Sequence, residues 1–112
     1  MKTKIYFNKK YIAEAKICIG IFSKGIGLMF SNFQPLLFVF SKEKIIPLHM
    51  LFVFYPIDVV FLDKNKIIVD IKQSFKPFSF YTPEKKAMCV LELKNGFVDE
   101  NNLQIGYKLN WK

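Results

Sequence analysis

Residues 45–63 read IIPLHMLFVFYPIDVVFLD, and this stretch decides how the chain folds. It is long enough to cross a membrane as a helix. Pro47, His49, Pro56 and Asp58 interrupt it, however, and its β-branched and aromatic residues favour buried strands. Pro56 has no N–H to give to a central ladder and belongs at a turn or strand start. The stretch therefore divides into two strands, 48–54 and 57–62. It also holds one carboxylate, Asp58, and the only histidine of the chain, His49. An acid in so apolar a setting is costly unless something pairs with it.

Working outward, Asp63-Lys64-Asn65-Lys66 reads as a hairpin turn with Asn65 at positive φ. The next strand, 66–75, is expected to pair antiparallel with 57–62. Upstream, 2–7 reads as an edge strand, 11–21 as a longer strand, and 23–30 as a short turn of helix entered at Ser23. Residues 36–40, LLFVF, form a strand covered on both faces. Downstream come an irregular loop at 76–84 holding Pro77 and Pro83, a strand at 87–93, a turn at 94–96, a short helix at 97–103 and a closing strand at 106–111. The fold class is mainly β: a compact antiparallel barrel- or sandwich-like fold of about 7–8 short strands with one or two short helices. Residues 1–112 form a single domain of ordinary size. Lysines guard the sheet edges.

Hydrophobic residues make up 52% of the 112 positions and phenylalanine occurs 13 times, enough for a packed core and against disorder. The formal net charge is +8, and every one of the 17 basic residues is lysine. Without arginine the chain lacks the planar fork that reads guanine, which argues against sequence-specific DNA recognition. The lysines are spread along the chain. They serve as a solvated surface or as a weak, nonspecific contact with an anionic partner. Cys18 and Cys89 each sit among apolar residues and read as reduced, buried thiols, with a single disulfide as the alternative. No C-x-x-C or Cys/His cluster suggests zinc, so neither a metal nor a cofactor is expected. Lysines throughout the first 24 residues break any clean signal segment, and the expected location is cytoplasmic with no transmembrane segment.

The chemistry-bearing residues are few. On strand 57–62, Asp58 shares a face with Val60 and Leu62, and it is either a ligand-contacting carboxylate or a structural acid accepting backbone N–H bonds. His49 is either its acid–base partner or a hydrogen-bonded core residue. Ser23, Ser31, Ser41, Ser74 and Ser79 lack a nucleophile-elbow context. Residues 23–27 lack the G-K-[ST] of a phosphate loop. Glu92 in Val90-Leu91-Glu92-Leu93 is again one acid in an apolar strand, either a second chemistry-bearing carboxylate or, as its strand pattern favours, an outward-facing residue on an alternating strand. Tyr6, Tyr11, Phe75, Phe78, Phe80, Tyr81 and Trp111 are read as exposed rings, which either complete the core or form a stacking surface beside lysines.

Four pieces of the chain resemble, in order, the family known as domain of unknown function 192. They are Gly27-Leu28-Met29; residues 36–40; His49-Met50 with residues 54–63 (FYPIDVVFLD); and residues 90–93 (VLEL) with Gly96, followed by Ile105-Gly106. The third piece is the specific one, and the likeness spans about residues 13–109. The resemblance implies a mainly β, single-domain fold and no assigned activity. It singles out Met50, Pro56 and Asp58 as matching the family's central motif. Members commonly carry arginine where Ile26 stands here and aspartate where Tyr107 stands, and many bacterial relatives look exported.

Together these readings favour a non-enzymatic ligand-binding or interaction module, its candidate ligand-binding residues being Asp58, His49, Met50 and Pro56. The partner is an unknown small molecule or protein. The alternatives are a small hydrolase or lyase working through Asp58 and His49, and a lysine-driven binder of RNA or another anionic surface.

Overall fold

Strand β5 (Ile57–Leu62) is buried along its whole length, since it is hydrogen-bonded on both sides and covered on both faces. The computed structural model describes residues 1–19, 34–49 and 55–111. The other elements are β1 (Lys2–Phe7), β2 (Lys10–Ile19), β3 (Leu36–Lys44), β4 (Leu48–His49), β6 (Ile68–Phe75), β7 (Phe80–Tyr81), β8 (Ala87–Lys94) and the single-turn helix α1 (Phe97–Glu100). Six strands form one curled half-barrel sheet in the order β1-β2-β3-β8-β5-β6, and β4 pairs with β7 in a separate ribbon. The expected barrel-like β fold is what forms.

Several local readings differ. β2 and β3 pair in parallel, whereas the other strand pairs among the described residues are antiparallel. Sixteen residues separate them, which is enough chain for the crossover that parallel pairing requires. In the turn after β5 the left-handed residue is Lys66 (φ 64), not Asn65. The side chain of Asp63 accounts for this: its Oδ1 accepts the N–H groups of both Asn65 and Ile67 and so sets the turn's shape. The loop at 76–84 contains β7, paired with β4. The stretch read as a closing strand makes only isolated bridges. The β1–β2 hairpin turns through Asn8 and Lys9, both at positive φ (51 and 65), as a two-residue turn demands. The expected helix at 23–30, residues 51–54 of the expected fourth strand, and Gly27-Leu28-Met29 lie outside the described residues.

Strand alternation splits the core in two. On one face Ile5, Leu37, Val60, Leu62, Leu91 and Leu93 pack against Phe97 and Val98 of α1 and against Leu103 and Leu109. On the other, Leu36, Phe38, Ile57, Val59, Phe61 and Val90 pack against Leu48 of β4, with Tyr81 of β7 at the margin. Because both faces are covered, Glu92 cannot face outward as its strand pattern suggested. β8 is central, and Glu92 is only 7% exposed. Phe75 is likewise core, 1% exposed, and Tyr81 packs its ring against Phe75 and Phe61.

The C-terminal segment stitches the two edges of the sheet together. Tyr6 of edge strand β1 exchanges both backbone bonds with Asn110, at 2.8 and 2.9 Å. Two residues back, Lys108 bridges Ile67 at the entry to the other edge strand, β6. The Leu109 N–H reaches the Lys66 carbonyl at 3.0 Å. This seam brings the β1–β2 hairpin, the 63–66 turn and the chain's last residues to one end of the molecule.

Candidate functional site

Asp58 sits at a β-bulge. Ile57 opposes Phe75 and Val59 opposes Lys72, so Gln73 and Ser74 together face Asp58. Ser74 adopts φ 49, which a non-glycine residue enters at a cost, and its N–H donates to Asp58 Oδ1 at 3.0 Å. The other oxygen, Oδ2, accepts the N–H of Val98 in the first turn of α1, also at 3.0 Å. That helix starts at Gly96 without a side-chain cap of its own. Asp58 supplies the missing acceptor from a different strand, doing what an N-cap side chain does. The fully buried carboxylate thus joins β5, β6 and α1. Gln73 adds a second tie to α1, donating to Asp99 at 2.9 Å.

Pro56, half-buried, immediately precedes β5, where its missing N–H removes no ladder bond. His49 belongs to β4, whose Leu48 packs on the Ile57/Val59/Phe61 face, whereas Asp58 bonds to α1 on the opposite face. Met50 lies outside the described residues.

A second acid, favoured as outward-facing from the sequence, is buried. Glu92 stands opposite Leu36 and Val59 in the central ladder, on the Val90 face. Burial pushes its carboxyl up to about 8, so it is mostly neutral at pH 7 and able to donate a hydrogen bond. Burial also raises the thiol of Cys18; Lys16 partly opposes this and the charge of Glu92 adds to it. The phenol of Tyr55 is raised by burial and then by Glu92. The sequence signal was the string Val90-Leu91-Glu92-Leu93, apolar on both sides of the alternation, which marks a strand with no solvent face. Both cysteines are free. Cys89 is buried in the other core half, which holds its thiol up at about 11 and unreactive.

The seam holds the cationic groups. Lys64, Asn65 and Lys66 from the turn and Lys108 and Asn110 from the C-terminal segment line one cleft of about 240 Å³. Lys66 Nζ donates to the Trp111 carbonyl at 2.9 Å and lies 4.7 Å from the centre of the Trp111 ring, which fixes its position. Lys64 and Lys108 are exposed. The carboxylates that border the turn are engaged by it: Glu43 accepts the Lys64 N–H at 2.8 Å, and Asp63 is bonded as described above. On the other flank of the C-terminal segment a cleft of about 360 Å³ is lined by Phe7, Asn8, Lys10, Ile12, Asn101, Asn102 and Tyr107. Phe7 and Tyr107 stack there, 4.8 Å between centroids and 11° between planes. Among the described residues lining these two clefts there is no carboxylate.

The family model DUF192, described as uncharacterized ACR, matches residues 7–111. The chain belongs to DUF192. A UPF0127 protein of Thermococcus sibiricus is 33% identical over 116 residues, covering 99% of this chain and 72% of its own length. The UPF0127 protein PF1050 of Pyrococcus furiosus is 32% identical over 107 residues, covering 93% of this chain and 91% of its own length. Among solved structures, a Sinorhizobium meliloti 1021 protein called a "putative transcription regulator" superposes with a TM-score of 0.84 at 19% identity, over 98% of this chain and 92% of that one. A Novosphingobium aromaticivorans protein of unknown function gives 0.78 at 15% identity, over 98% and 84%. These structural likenesses show the fold, a mainly β single domain. Tyr107 is the ring stacked on Phe7 beside the seam. Among the described residues no helix is long and apolar enough to cross a membrane.

Proposed function

We propose that this DUF192 chain is a non-enzymatic, cytoplasmic binding domain for phosphate-bearing ligands, which it holds at the seam. One observation carries the reading: Lys64, Lys66 and Lys108 come from distant parts of the chain and converge on a single cleft, together with the amides of Asn65 and Asn110. Three ammonium groups and two amides offer hydrogen-bond donors to an oxyanion, and among the described residues no carboxylate lines the cleft to compete with it. Lysine provides point charges rather than a planar fork, so the site answers to charge more than to ligand shape. With Glu92 mostly neutral at pH 7, the protein is more cationic than its formal charge of +8. A ligand centred on Asp58 would have to displace two backbone donors, which is why the seam is preferred.

Calorimetric titration with inorganic polyphosphate tests the reading. Wild type is expected to bind saturably and to weaken as salt rises. Lys64→Ala with Lys108→Ala is expected to lose roughly tenfold or more in affinity and to show a shallower salt dependence. Both substitutions are at exposed side chains, so the circular dichroism spectrum should not change. Equal binding by wild type and double variant would refute the proposal.

A further inference from the structure

We propose that the phosphates held at the seam belong to single-stranded nucleic acid, bound without sequence preference, with its bases against Tyr11 and Tyr6. This rests on the reading of the lysine cleft as a phosphate site and adds what the phosphates are attached to.

The geometry is a row across three neighbouring segments. Tyr11 of β2 opposes Tyr6 of β1, and Tyr6 opposes Asn110 of the C-terminal segment. Residues directly opposed in an antiparallel pair present their side chains to the same face. Leu109 is core, so its neighbour Asn110 faces outward, and the two tyrosines share that outer face. Neighbouring strands lie about 4.8 Å apart, which puts Tyr11 roughly 10 Å from Asn110, itself part of the lysine cleft. The tyrosine rings meet edge to face, 6.1 Å between centroids at 73°, and Tyr11 is 51% exposed. Beyond them Lys9 and Lys10 form the exposed end of the hairpin. The outer face thus offers the cations of the lysine cleft at one end and aromatic surface beside them.

This sequence of groups fits an unpaired strand. Base–aromatic stacking needs a free base face, which a duplex hides, and it tolerates any base because every base has one. The absence of arginine removes the usual bidentate contact to guanine, so the contacts left are phosphate charge and stacking. Free phosphate or polyphosphate would use the lysines and ignore the rings.

Fluorescence anisotropy with a labelled, mixed-sequence RNA of about twelve nucleotides tests this, with the same strand annealed to its complement and with unlabelled polyphosphate as competitor. Single-stranded RNA is expected to bind more tightly than the duplex. With two to three phosphates neutralised, its affinity should fall roughly sevenfold to twentyfold between about 50 and 200 mM salt. Tyr11→Ala is expected to weaken single-strand binding by about tenfold, leaving duplex and polyphosphate binding unchanged; Tyr11→Trp should retain it. Equal affinity for single strand and duplex, or an unaltered Tyr11→Ala variant, overturns the inference while the phosphate site stands. No binding of any polyanion by the wild-type protein overturns both.

Discussion

Asp58→Ala is expected to destabilise the fold by about 3–5 kcal/mol, the largest single loss outside the apolar core. The substitution removes two acceptors at once, leaving the Val98 N–H buried without a partner and the Ser74 N–H part-buried without its acceptor. It also removes what repays the left-handed backbone of Ser74 and what caps α1. Denaturant titration measures the size of the loss. Hydrogen exchange measures its location: the Ser74 and Val98 amides should lose protection ahead of central β5 amides such as Val60. Asp58→Asn keeps one acceptor oxygen and turns an NH2 group toward the other donor, so its loss should be smaller, about 2 kcal/mol. Wild-type stability in Asp58→Ala would show that the bulge and helix stand without the carboxylate, leaving it for some other task.

Glu92→Gln is expected to act in the opposite direction and only above acid pH. The folded carboxyl is pushed up to about 8 by burial, from an ordinary value of 4.5. Below about pH 4.5 the group is protonated in both the folded and the unfolded chain, and wild type and variant should be equally stable. Between about 4.5 and 8 the unfolded chain releases a proton that the folded chain keeps, so wild-type stability falls as pH rises. Above about 8 both states are ionised and the loss is complete, on the order of 5 kcal/mol. Glutamine has nearly the same shape and no charge to bury, so the variant should lack this slope and be the more stable protein at pH 9. Urea titrations at pH 4, 7 and 9 decide the matter. Parallel stability curves for the two proteins would mean that the acid is solvated or paired when folded.

The two acids show where sequence reasoning reached and where it stopped. Asp58 was singled out because one carboxylate in the string IDVVFL has to be answered by donors, and a structural acid accepting backbone N–H groups was one of the two readings. Its donors could not be named. Val98 lies forty residues away, and Ser74 reaches it only through a bulge that no local pattern announces. Glu92 was misread because alternation along one strand shows two faces but not what covers them. Only when β3 and β5 flank β8 does its position become interior. The same limit applied to the aromatics: Phe75 and Tyr11 look alike in composition, yet one is core and the other half exposed.

By itself the sequence determined the class of the fold: short apolar runs broken by Pro56, by the Asp63–Lys66 turn and by glycines leave strands as the economical way to satisfy the backbone. It also determined the absence of arginine, and with it the kind of anion chemistry open to this chain. Tertiary structure alone decided the parallel pairing of β2 with β3, the burial of Glu92, the bracing of α1 by Asp58, and the meeting of Lys64, Lys66, Lys108, Tyr6 and Tyr11 at one seam. Strand character is set by neighbours within a few residues. The proposed binding face, made of side chains from three distant segments, forms only after the sheet has curled and the C-terminal segment has bridged its edges.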